Sequence, residues 1–210
     1  MDRKEHWQRI YQSNQSNEAS WYQGRPDISL QFMEELKVNK EASIIDVGGG
    51  DSTLVDHLLQ RGYTDITVLD ISAIALEKAK HRLGKKATLV NWMVADILQF
   101  NSERKYDFWH DRAVFHFFLR EKEAEAYFNI ASNTIKQEGK MLLGTFATDG
   151  PEICSGLSVQ RYSQETITSR AKKFFEKIKC ITTEHLTPAK TIQPFLFCSF
   201  LKSTDTYGHS

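Results

Sequence analysis

Between residues 43 and 147 the sequence alternates short apolar runs with amphipathic stretches, and this alternation restricts the fold more than any other feature. The amphipathic stretches predict helices, one of which has a serine cap at Ser72 and a glycine stop at Gly84. Apolar strands that alternate with helices are typical of a parallel sheet that is buried on both faces. The runs predicted to be strands are ASIIDV, DITVLDI, ATLVNWMVAD, KYDFWHD and GKMLLGTFA. The sequence therefore predicts an α/β fold, a doubly wound sheet with helices on both faces.

The two ends of the chain depart from this alternation. Two β-rich runs, residues 174–188 and 191–202, are separated only by a turn, which predicts an antiparallel C-terminal hairpin at the sheet edge. With the five strands before it, this hairpin gives a sheet of about seven strands, mostly parallel. Before the first strand we expect two helices, over residues 2–13 and from Pro26 to about Val38.

Charge and cysteine content exclude several classes of protein. The 27 basic and 27 acidic side chains balance, so nothing favours nucleic acid or an anionic membrane as a partner. No apolar run approaches the roughly 18 residues of a membrane span, and the polar start does not resemble a signal peptide. Three scattered cysteines without CxxC spacing predict no disulfide framework and no metal site, with Cys180 and Cys198 as free thiols. A cytoplasmic location is expected, and the oligomeric state is not readable.

Three glycines, Gly48 to Gly50, follow the first predicted strand in the segment IIDVGGGDS. In a doubly wound sheet, ligands bind beyond the carboxyl ends of the strands where the winding reverses, and the first strand adjoins that point. Glycines there let a ligand touch the backbone, whose free N–H groups can bind an anionic group. A merely tight turn is the alternative, and the segment alone does not separate the two.

Acidic residues end the next two predicted strands. Asp70 follows Asp46 by 24 residues and is placed to accept hydrogen bonds from both hydroxyls of a ribose. Asp96 ends the third strand, where a carboxylate can accept from an adenine amino group while Ile97 packs on the ring. A helix cap is the alternative role for Asp96 or Asp51. Three acids at three consecutive strand ends favour a nucleoside site.

Together these segments resemble the class I S-adenosylmethionine-dependent methyltransferases, in particular the groups called type 11, 12 and 25. DVGGGDS is similar to their acid-x-Gly-x-Gly-x-small turn, VLDIS to their ribose motif and VADIL to their adenine motif. Ser52 stands where the family often has a third glycine, and it keeps that position small. The resemblance covers about residues 40–202 and implies a Rossmann-like fold with S-adenosyl-L-methionine as cofactor. The cofactor residues that it implies are Asp46, Gly48, Gly49, Gly50, Ser52, Asp70, Ile71, Asp96 and Ile97.

The antiparallel hairpin also matches that family's fold and distinguishes it from nicotinamide-binding domains. One methyltransferase domain is therefore predicted over residues 1–202. It consists of lid helices at 1–39, a cofactor-binding half at 40–147, and a substrate loop with the hairpin at 148–202. A tail at 203–210 is expected to be disordered.

Polar residues follow the fourth predicted strand in FWHDRAVFHFF. Because the methyl group of S-adenosylmethionine is already activated, the protein contributes mainly the position of the nucleophile, and a base where a proton must leave. We expect His110 to contact the cofactor, and Asp111, Arg112 and His116 to form the catalytic group. A structural Asp111–Arg112 ion pair and a hydrogen-bonded scaffold role for His116 are the alternatives.

The segment SWYQGRP precedes the second helix and is the predicted lid. Arg25 is placed to neutralise the methionine carboxylate, and Trp21 or Tyr22 to face the sulfonium through a cation–π contact. Packing of the aromatic rings on the sheet is the alternative. The loop at 148–162 is long enough to be typical of a binding loop. Its candidates for substrate contact are Gly150, Cys154, Ser155 and Arg161.

The segment after the fourth strand resembles two groups within the family. The sequence WHDRA is similar to the W-D-R-A-type segment of thiopurine, thiol and tellurite methyltransferases, whose acceptors are soft nucleophiles. Asp111 also falls at the aspartate of the D-x-G-T segment of protein-lysine methyltransferases, although Arg-Ala replaces Gly-Thr. We therefore expect a small-molecule acceptor, with a protein lysine as the second hypothesis. A non-catalytic S-adenosylmethionine-binding sensor or partner subunit is the hypothesis from another class.

Overall fold

The computed structural model describes residues 2–13 and 16–203. Of the tail at 203–210 that was expected to be disordered, residues 204–210 lie outside the described residues. Its strands are β1 (Ser43–Val47), β2 (Asp65–Asp70), β3 (Val90–Val94), β4 (Tyr106–Arg112), β5 (Ile135–Phe146), β6 (Ile153–Cys154), β7 (Leu157–Ser158), β8 (Phe175–Leu186) and β9 (Ile192–Lys202). Its α-helices are α1 (Arg3–Ser13), α2 (Asp27–Glu35), α3 (Leu54–Gln60), α4 (Ala73–Leu83), α5 (Glu121–Thr134) and α6 (Gln164–Ala171). None of the helices in these two ranges is long and apolar enough to cross a membrane.

Seven strands form one sheet in the order β3-β2-β1-β4-β5-β9-β8, while β6 and β7 form a short separate hairpin. Strands β1 to β5 pair in parallel, and β9 runs antiparallel to both β5 and β8. The chain moves outward from β1 to β3 and then returns to place β4 on the other side of β1. The winding therefore reverses between β1 and β4, which is where such sheets bind ligands. The predicted doubly wound sheet with an antiparallel C-terminal hairpin is confirmed.

The central strands are buried on both faces of the sheet. Ile44 and Phe108 pack into the core on one face, and their neighbours Ile45 and Trp109 pack into the core on the other. Successive side chains of a strand point to opposite faces, so a strand covered on both sides must be apolar at every position. This burial explains the continuous apolar runs of the sequence.

Two helices differ from the prediction. Helix α2 ends at Glu35 rather than at about Val38, because the chain leaves the helix at Lys37, whose φ is 53°. Helix α6 was not predicted. It begins with a capping box in which Ser163 Oγ accepts from the Thr166 N–H. This capping signal directly follows the loop at 148–162.

The prediction that Cys180 and Cys198 are free thiols is wrong. They lie directly opposite each other in the β8–β9 hairpin, with Cα atoms 4.1 Å apart, and form a disulfide. Their separation of 18 residues matches no local motif. Only the register of the hairpin brings them together, so their pairing could not be read from the spacing. Cys154 is buried with a free thiol.

Candidate functional site

The glycine-rich turn after β1 is bonded to β2. The N–H groups of Gly48 and Gly49 both donate to the Leu69 carbonyl oxygen, at 2.7 and 3.2 Å, and the Gly50 N–H donates to the Asp70 carboxylate. The expectation that these N–H groups are free to bind an anion is therefore wrong. They instead fix the ends of β1 and β2 against each other.

Close packing also explains why two of these positions are glycine. Gly48 and Gly50 have φ values of 65° and 43°, in the left-handed region that side chains rarely adopt. A Cβ on Gly48 would lie 2.0 Å from Val114 Cγ2, and one on Gly50 would lie 2.6 Å from Tyr11 Oη. The turn is thus both tight and closely approached by other side chains.

Asp46 lies beneath this turn at one end of a buried hydrogen-bonded chain. Its Oδ1 is 2.7 Å from His110 Nδ1, and His110 Nε2 is 2.8 Å from Ser29 Oγ. Asp46 and His110 are partners in the parallel register of β1 and β4, and all three side chains are buried. Both ring nitrogens of His110 are therefore occupied by protein groups. The chain fixes the Asp46 carboxylate at the point where the winding reverses.

Asp70 ends β2 and is also buried. Its Oδ1 accepts from the Ser72 N–H at 2.7 Å. Burial raises the pKa of Asp70 to about 7, even though the N–H groups of Ser72, Gly50 and Ile71 favour the ionised form. The carboxylate is therefore close to half ionised at neutral pH, and a ligand that donates hydrogen bonds to it favours ionisation.

Asp96 and Ile97 follow β3 at the same edge. Asp96 Oδ1 accepts from the Leu98 N–H at 2.9 Å and caps the short 3₁₀ turn that begins at Ile97. The alternative of a cap is therefore correct for one oxygen of this carboxylate. Asp96 nevertheless lines a cavity together with the buried Ile97, so capping and cavity lining occur together.

Two adjoining cavities open at this edge of the sheet. The inner cavity is lined by Arg3, Trp7, Tyr11, Trp21, Gly48, Asp70, Ile71, Asp96, Ile97, Arg112, Val114, Phe117, Phe118 and Cys154, among others. The loop cavity is lined by Tyr11, Trp21, Tyr22, Ser29, Asp46, Gly48, Gly49, Asp51, Ser52, Thr53, Lys78, His110 and Arg112, among others. Tyr11, Trp21, Gly48 and Arg112 line both cavities. Of the residues predicted to bind the cofactor, these two cavities bring together all except Gly50 and Arg25.

Helix α1 covers both cavities with aromatic side chains. The ring of Trp7 lies 6.1 Å from that of Trp21 and 5.2 Å from that of Phe117, and the ring of Tyr11 lies 5.9 Å from that of Trp21. Gln8 Oε1 anchors the helix by accepting from Ser72 Oγ and the Ile74 N–H. The sequence predicted α1 as a lid helix but named none of its residues as site residues, although Trp7 and Tyr11 share one face of that helix.

Tyr11 is the cover residue in contact with the glycine turn. Burial raises its pKa well above the usual value, and the Asp70 carboxylate raises it further. The hydroxyl is therefore protonated at neutral pH and able to donate a hydrogen bond.

Two predicted catalytic residues lie away from both cavities. Asp111 is fully buried and accepts from Tyr127 Oη at 2.6 Å and from the Val114 N–H at 2.9 Å. Successive side chains of β4 alternate between the faces of the sheet, so Asp111 points away from the face of His110. Burial raises its pKa to about 6. Asp111 shapes the turn after β4, and its predicted catalytic contact is not supported.

His116 is likewise enclosed by protein. It is fully buried, its ring lies 4.6 Å from that of Phe117 and 4.8 Å from that of Phe146, and it lines neither cavity. Burial lowers its pKa to about 3, with a further contribution from the Arg112 charge. The imidazole is therefore neutral, and the structure does not bring it to the position of a catalytic base.

Arg112 is the predicted catalytic residue that does line the site. Its Nη1 donates to the Trp21 carbonyl oxygen at 2.8 Å. Its guanidinium carbon lies 4.6 Å from the centre of the Phe195 ring. The proposed alternative of an ion pair with Asp111 is not found in the described part of the chain, because the two side chains face opposite sides of the sheet.

The predicted lid is only partly at the site. Trp21 lines both cavities and Tyr22 lines the loop cavity. Arg25 is exposed and pairs with Asp27, with Nε and Oδ1 3.1 Å apart, so the prediction that it meets the methionine carboxylate is not supported. It lies just before α2, where the chain runs along the surface.

The loop after β5 contributes one residue to the site. Cys154 of β6 lines the inner cavity, and burial raises the pKa of its thiol. Arg161 instead pairs with Glu152. Neither cavity is lined by Gly150, Ser155 or Arg161.

Comparison with known proteins finds similarity to methyltransferases. Residues 44–139 match the family model described as a methyltransferase domain. Malonyl-[acyl-carrier protein] O-methyltransferase 1 of Ilyobacter polytropus is 28% identical over 139 residues, which are 63% of this chain and 50% of that protein. The eEF1A lysine and N-terminal methyltransferase of Mus musculus is 25% identical over 97 residues, which are 45% of this chain and 13% of that protein. The chain thus spans half or less of the length of these relatives.

The fold is also similar to that of a solved structure. The N-methyltransferase NodS from Bradyrhizobium japonicum WM9, in complex with S-adenosyl-L-homocysteine, matches with a TM-score of 0.72 and 14% sequence identity. The match covers 97% of this chain and 100% of that one. At this identity the likeness concerns the fold.

Proposed function

We propose that the chain is a class I S-adenosylmethionine-dependent methyltransferase, and that it transfers the methyl group of S-adenosylmethionine to a small-molecule acceptor through a soft nucleophile such as a thiol. The observation that carries this proposal is the lining of the inner cavity. One cavity extends from the strand-end acids Asp70 and Asp96 to Arg112 and Cys154, beneath the aromatic side chains of α1. Donor and acceptor thus share a space that suits a small molecule better than a protein surface.

The strand ends fit the cofactor. Asp70, Asp96 and Ile97 line the inner cavity, which supports our assignment of Asp70 to the ribose hydroxyls and of Asp96 and Ile97 to the adenine ring. Gly48 lines both cavities, so the methionine part extends from the inner cavity into the loop cavity past Ser52. S-adenosylmethionine supplies the activated methyl group, and the protein supplies its position.

The division of the chain follows from the same contacts. We assign cofactor binding to residues 40–147 and the cover of the acceptor to residues 1–39 and 148–202. Trp7 and Trp21 from the first cover segment and Cys154 from the second line the inner cavity. Because Tyr11 lies against Gly50 and Asp70, α1 has to move outward for the cofactor to exchange.

The lack of a base in the cavity favours a soft acceptor. Among the described residues that line the inner cavity there is no histidine, and its carboxylates are Asp70 and Asp96, both assigned to the cofactor. A thiol ionises near neutral pH on its own, whereas an alcohol does not. An acceptor that needs no strong base is therefore the better match to this lining.

Two other acceptors have a specific observation in their favour. The mouse relative is a lysine and N-terminal methyltransferase by name, which supports a protein amine as the second candidate. The Ilyobacter relative is an O-methyltransferase, which supports an oxygen acceptor. The aromatic side chains of α1 over the inner cavity weigh against a protein side chain, since that side chain has to pass α1 to reach the donor.

The experiment proceeds in two steps. Calorimetry with S-adenosylmethionine, S-adenosylhomocysteine and NAD should show binding of the first two only, and absence of that binding contradicts the cofactor assignment. A labelled-methyl screen should then compare thiols, chalcogen oxyanions and cell-extract protein. Label in small thiols supports the proposal, label found only in protein replaces it with the second candidate, and binding without any transfer supports a non-catalytic sensor or partner subunit.

A further inference from the structure

Half of the Arg112 guanidinium has no partner in the described part of the chain. Nη1 is bonded to the Trp21 carbonyl oxygen, but Nε and Nη2 are buried and make no hydrogen bond. Burial lowers the pKa of Arg112 to about 10, so the side chain stays protonated at neutral pH. A buried cation with unsatisfied donors is strongly unfavourable unless an anion meets it.

The two unsatisfied nitrogens lie on the same edge of the guanidinium. Nε–H and Nη2–H form a fork with the spacing of the two oxygens of a carboxylate, whereas a single point charge would use only one of them. The bond from Nη1 to Trp21 and the Phe195 ring hold the plane of the group in place. The fork is therefore oriented before any ligand arrives.

Arg112 lines both cavities, but its strand lies on the other side of β1 from the strands that end in Asp70 and precede Asp96. Asp70 and Asp96 follow β2 and β3, on one side of β1, whereas Arg112 ends β4 and stacks on Phe195 of β9, on the other side. The loop cavity contains a second cation, Lys78, beside the turn that takes the methionine part. The end of β4 is therefore the side of this shared space that is left for the acceptor.

We infer that Arg112 is the residue that selects the acceptor, and that the acceptor carries a carboxylate which receives the two hydrogen bonds from Nε and Nη2. This inference rests on the proposed function. On the cover side the cavity is lined by the aromatic rings of Trp7, Trp21 and Phe117, while the Cys154 thiol lies near Arg112. The acceptor class is therefore a small carboxylic acid with an apolar body and a soft nucleophilic atom.

The test compares acids with neutral partners of the same shape. In protein saturated with S-adenosylhomocysteine, benzoate and 3-phenylpropionate are titrated beside their amides. Labelled-methyl transfer to 3-mercaptopropionate is compared with transfer to 3-mercapto-1-propanol. We expect a preference for the acid of about tenfold or more in the wild-type protein, since hydrogen bonds to charged groups are the strong ones.

Three variants separate the fork from a general effect of charge. Arg112→Met should abolish the preference for the acid, and Arg112→Lys should retain only part of it, because an ammonium group lacks the fork. Arg104→Met is the matched control, since Arg104 precedes the opposite end of β4 and pairs with Asp65, and it should leave the preference unchanged. If Arg112→Met does not fold, the acid preference of Arg112→Lys relative to that of the wild-type protein is the measurement that decides whether the fork selects the acid.

Each outcome bears on one claim. Equal binding of acids and amides to the wild-type protein, or no binding of either acid, overturns the inference. A loss of S-adenosylhomocysteine affinity in Arg112→Met as large as the loss of acid binding also overturns it, and assigns the guanidinium to the cofactor. If the wild-type protein binds no S-adenosylhomocysteine and transfers no label, the proposed function itself has failed.

Discussion

Two groups of strand ends meet at one edge of this sheet, and they differ in how their buried polar side chains are satisfied. At the ends of β1 to β3, Asp46 is bonded to His110, while Asp70 and Asp96 each accept a backbone N–H two residues further on. The acidic side chains at these three strand ends, which we call the cofactor half, thus all have partners within the chain.

The ends of β4 and β5 are different. Arg112, His116 and Thr145 all bury side-chain nitrogen or oxygen atoms that have no partner among residues 2–13 and 16–203. Such atoms reduce stability unless a ligand or neighbour meets them. The acids of the cofactor half are therefore held in place by the chain, whereas the ends of β4 and β5, which we call the acceptor half, leave buried polar atoms unpaired among the described residues. The predictions below test that contrast.

The largest effect is expected at Asp70. Replacing Asp70 with alanine should weaken S-adenosylhomocysteine binding about 100-fold, because two hydrogen bonds from ribose to a carboxylate are lost. Calorimetry measures this loss, and circular dichroism checks that the fold persists. Asp65→Ala, at the other end of β2, is the matched control and should bind normally. Equal affinity of the wild-type protein and Asp70→Ala would remove the ribose role.

The second largest effect is expected at the hydrogen bonds that link Asp46, His110 and Ser29 beneath the turn. Ser29→Ala should lower the free energy of unfolding by about 1–3 kcal/mol, because His110 Nε2 is left buried without a partner. Denaturant unfolding measures the change. The exposed Ser169 provides the control, whose alanine variant should stay within about 0.5 kcal/mol of the wild-type protein. A Ser29→Ala variant as stable as the wild type would show that the stability of the cofactor half does not depend on the hydrogen bond between Ser29 and His110.

The affinity for the cofactor should also depend on pH. In the proposed role of Asp70, ribose hydroxyls donate to its ionised carboxylate, whose pKa is about 7, so protonation is expected to compete with binding as the pH falls. The affinity for S-adenosylhomocysteine should therefore rise about tenfold between pH 6 and pH 8. Asp70→Asn cannot titrate at this position and should flatten the profile. A wild-type profile that stays flat would show that Asp70 is already ionised at pH 6.

The sequence predicted the cofactor half well because its signals are local. The continuous apolar strands follow from burial on both faces, and Asp70 and Asp96 could be placed because each directly follows such a strand. Ser72 caps α4 as its position predicts. Each of these features depends on a few neighbouring residues, so the local sequence is enough to predict it.

The acceptor half was predicted less well because it depends on which elements meet. Asp111 and Arg112 are adjacent in one polar segment, so the sequence does not show which of them faces the cavity. The alternation of side chains along β4 and the place of β4 in the sheet decide it. Tyr11 reaches the site only because α1 docks on α4. Cys180 and Cys198 pair only through the hairpin register. No local pattern specifies these contacts.

The smallest effect is expected at Thr145, where it tests the contrast most directly. Thr145 is fully buried at the end of β5, and its Oγ1 has no partner among the described residues. Thr145→Val keeps the shape and removes the unsatisfied hydroxyl, so it should leave the free energy of unfolding unchanged or raise it by about 0.5–1 kcal/mol. Thr134 is an equally buried threonine whose Oγ1 donates to the Ile130 carbonyl oxygen at 2.7 Å. Thr134→Val should therefore lower the free energy of unfolding by about 1 kcal/mol. If both variants lose the same stability, the Thr145 hydroxyl has a partner, and the acceptor half is more complete than its bonds indicate.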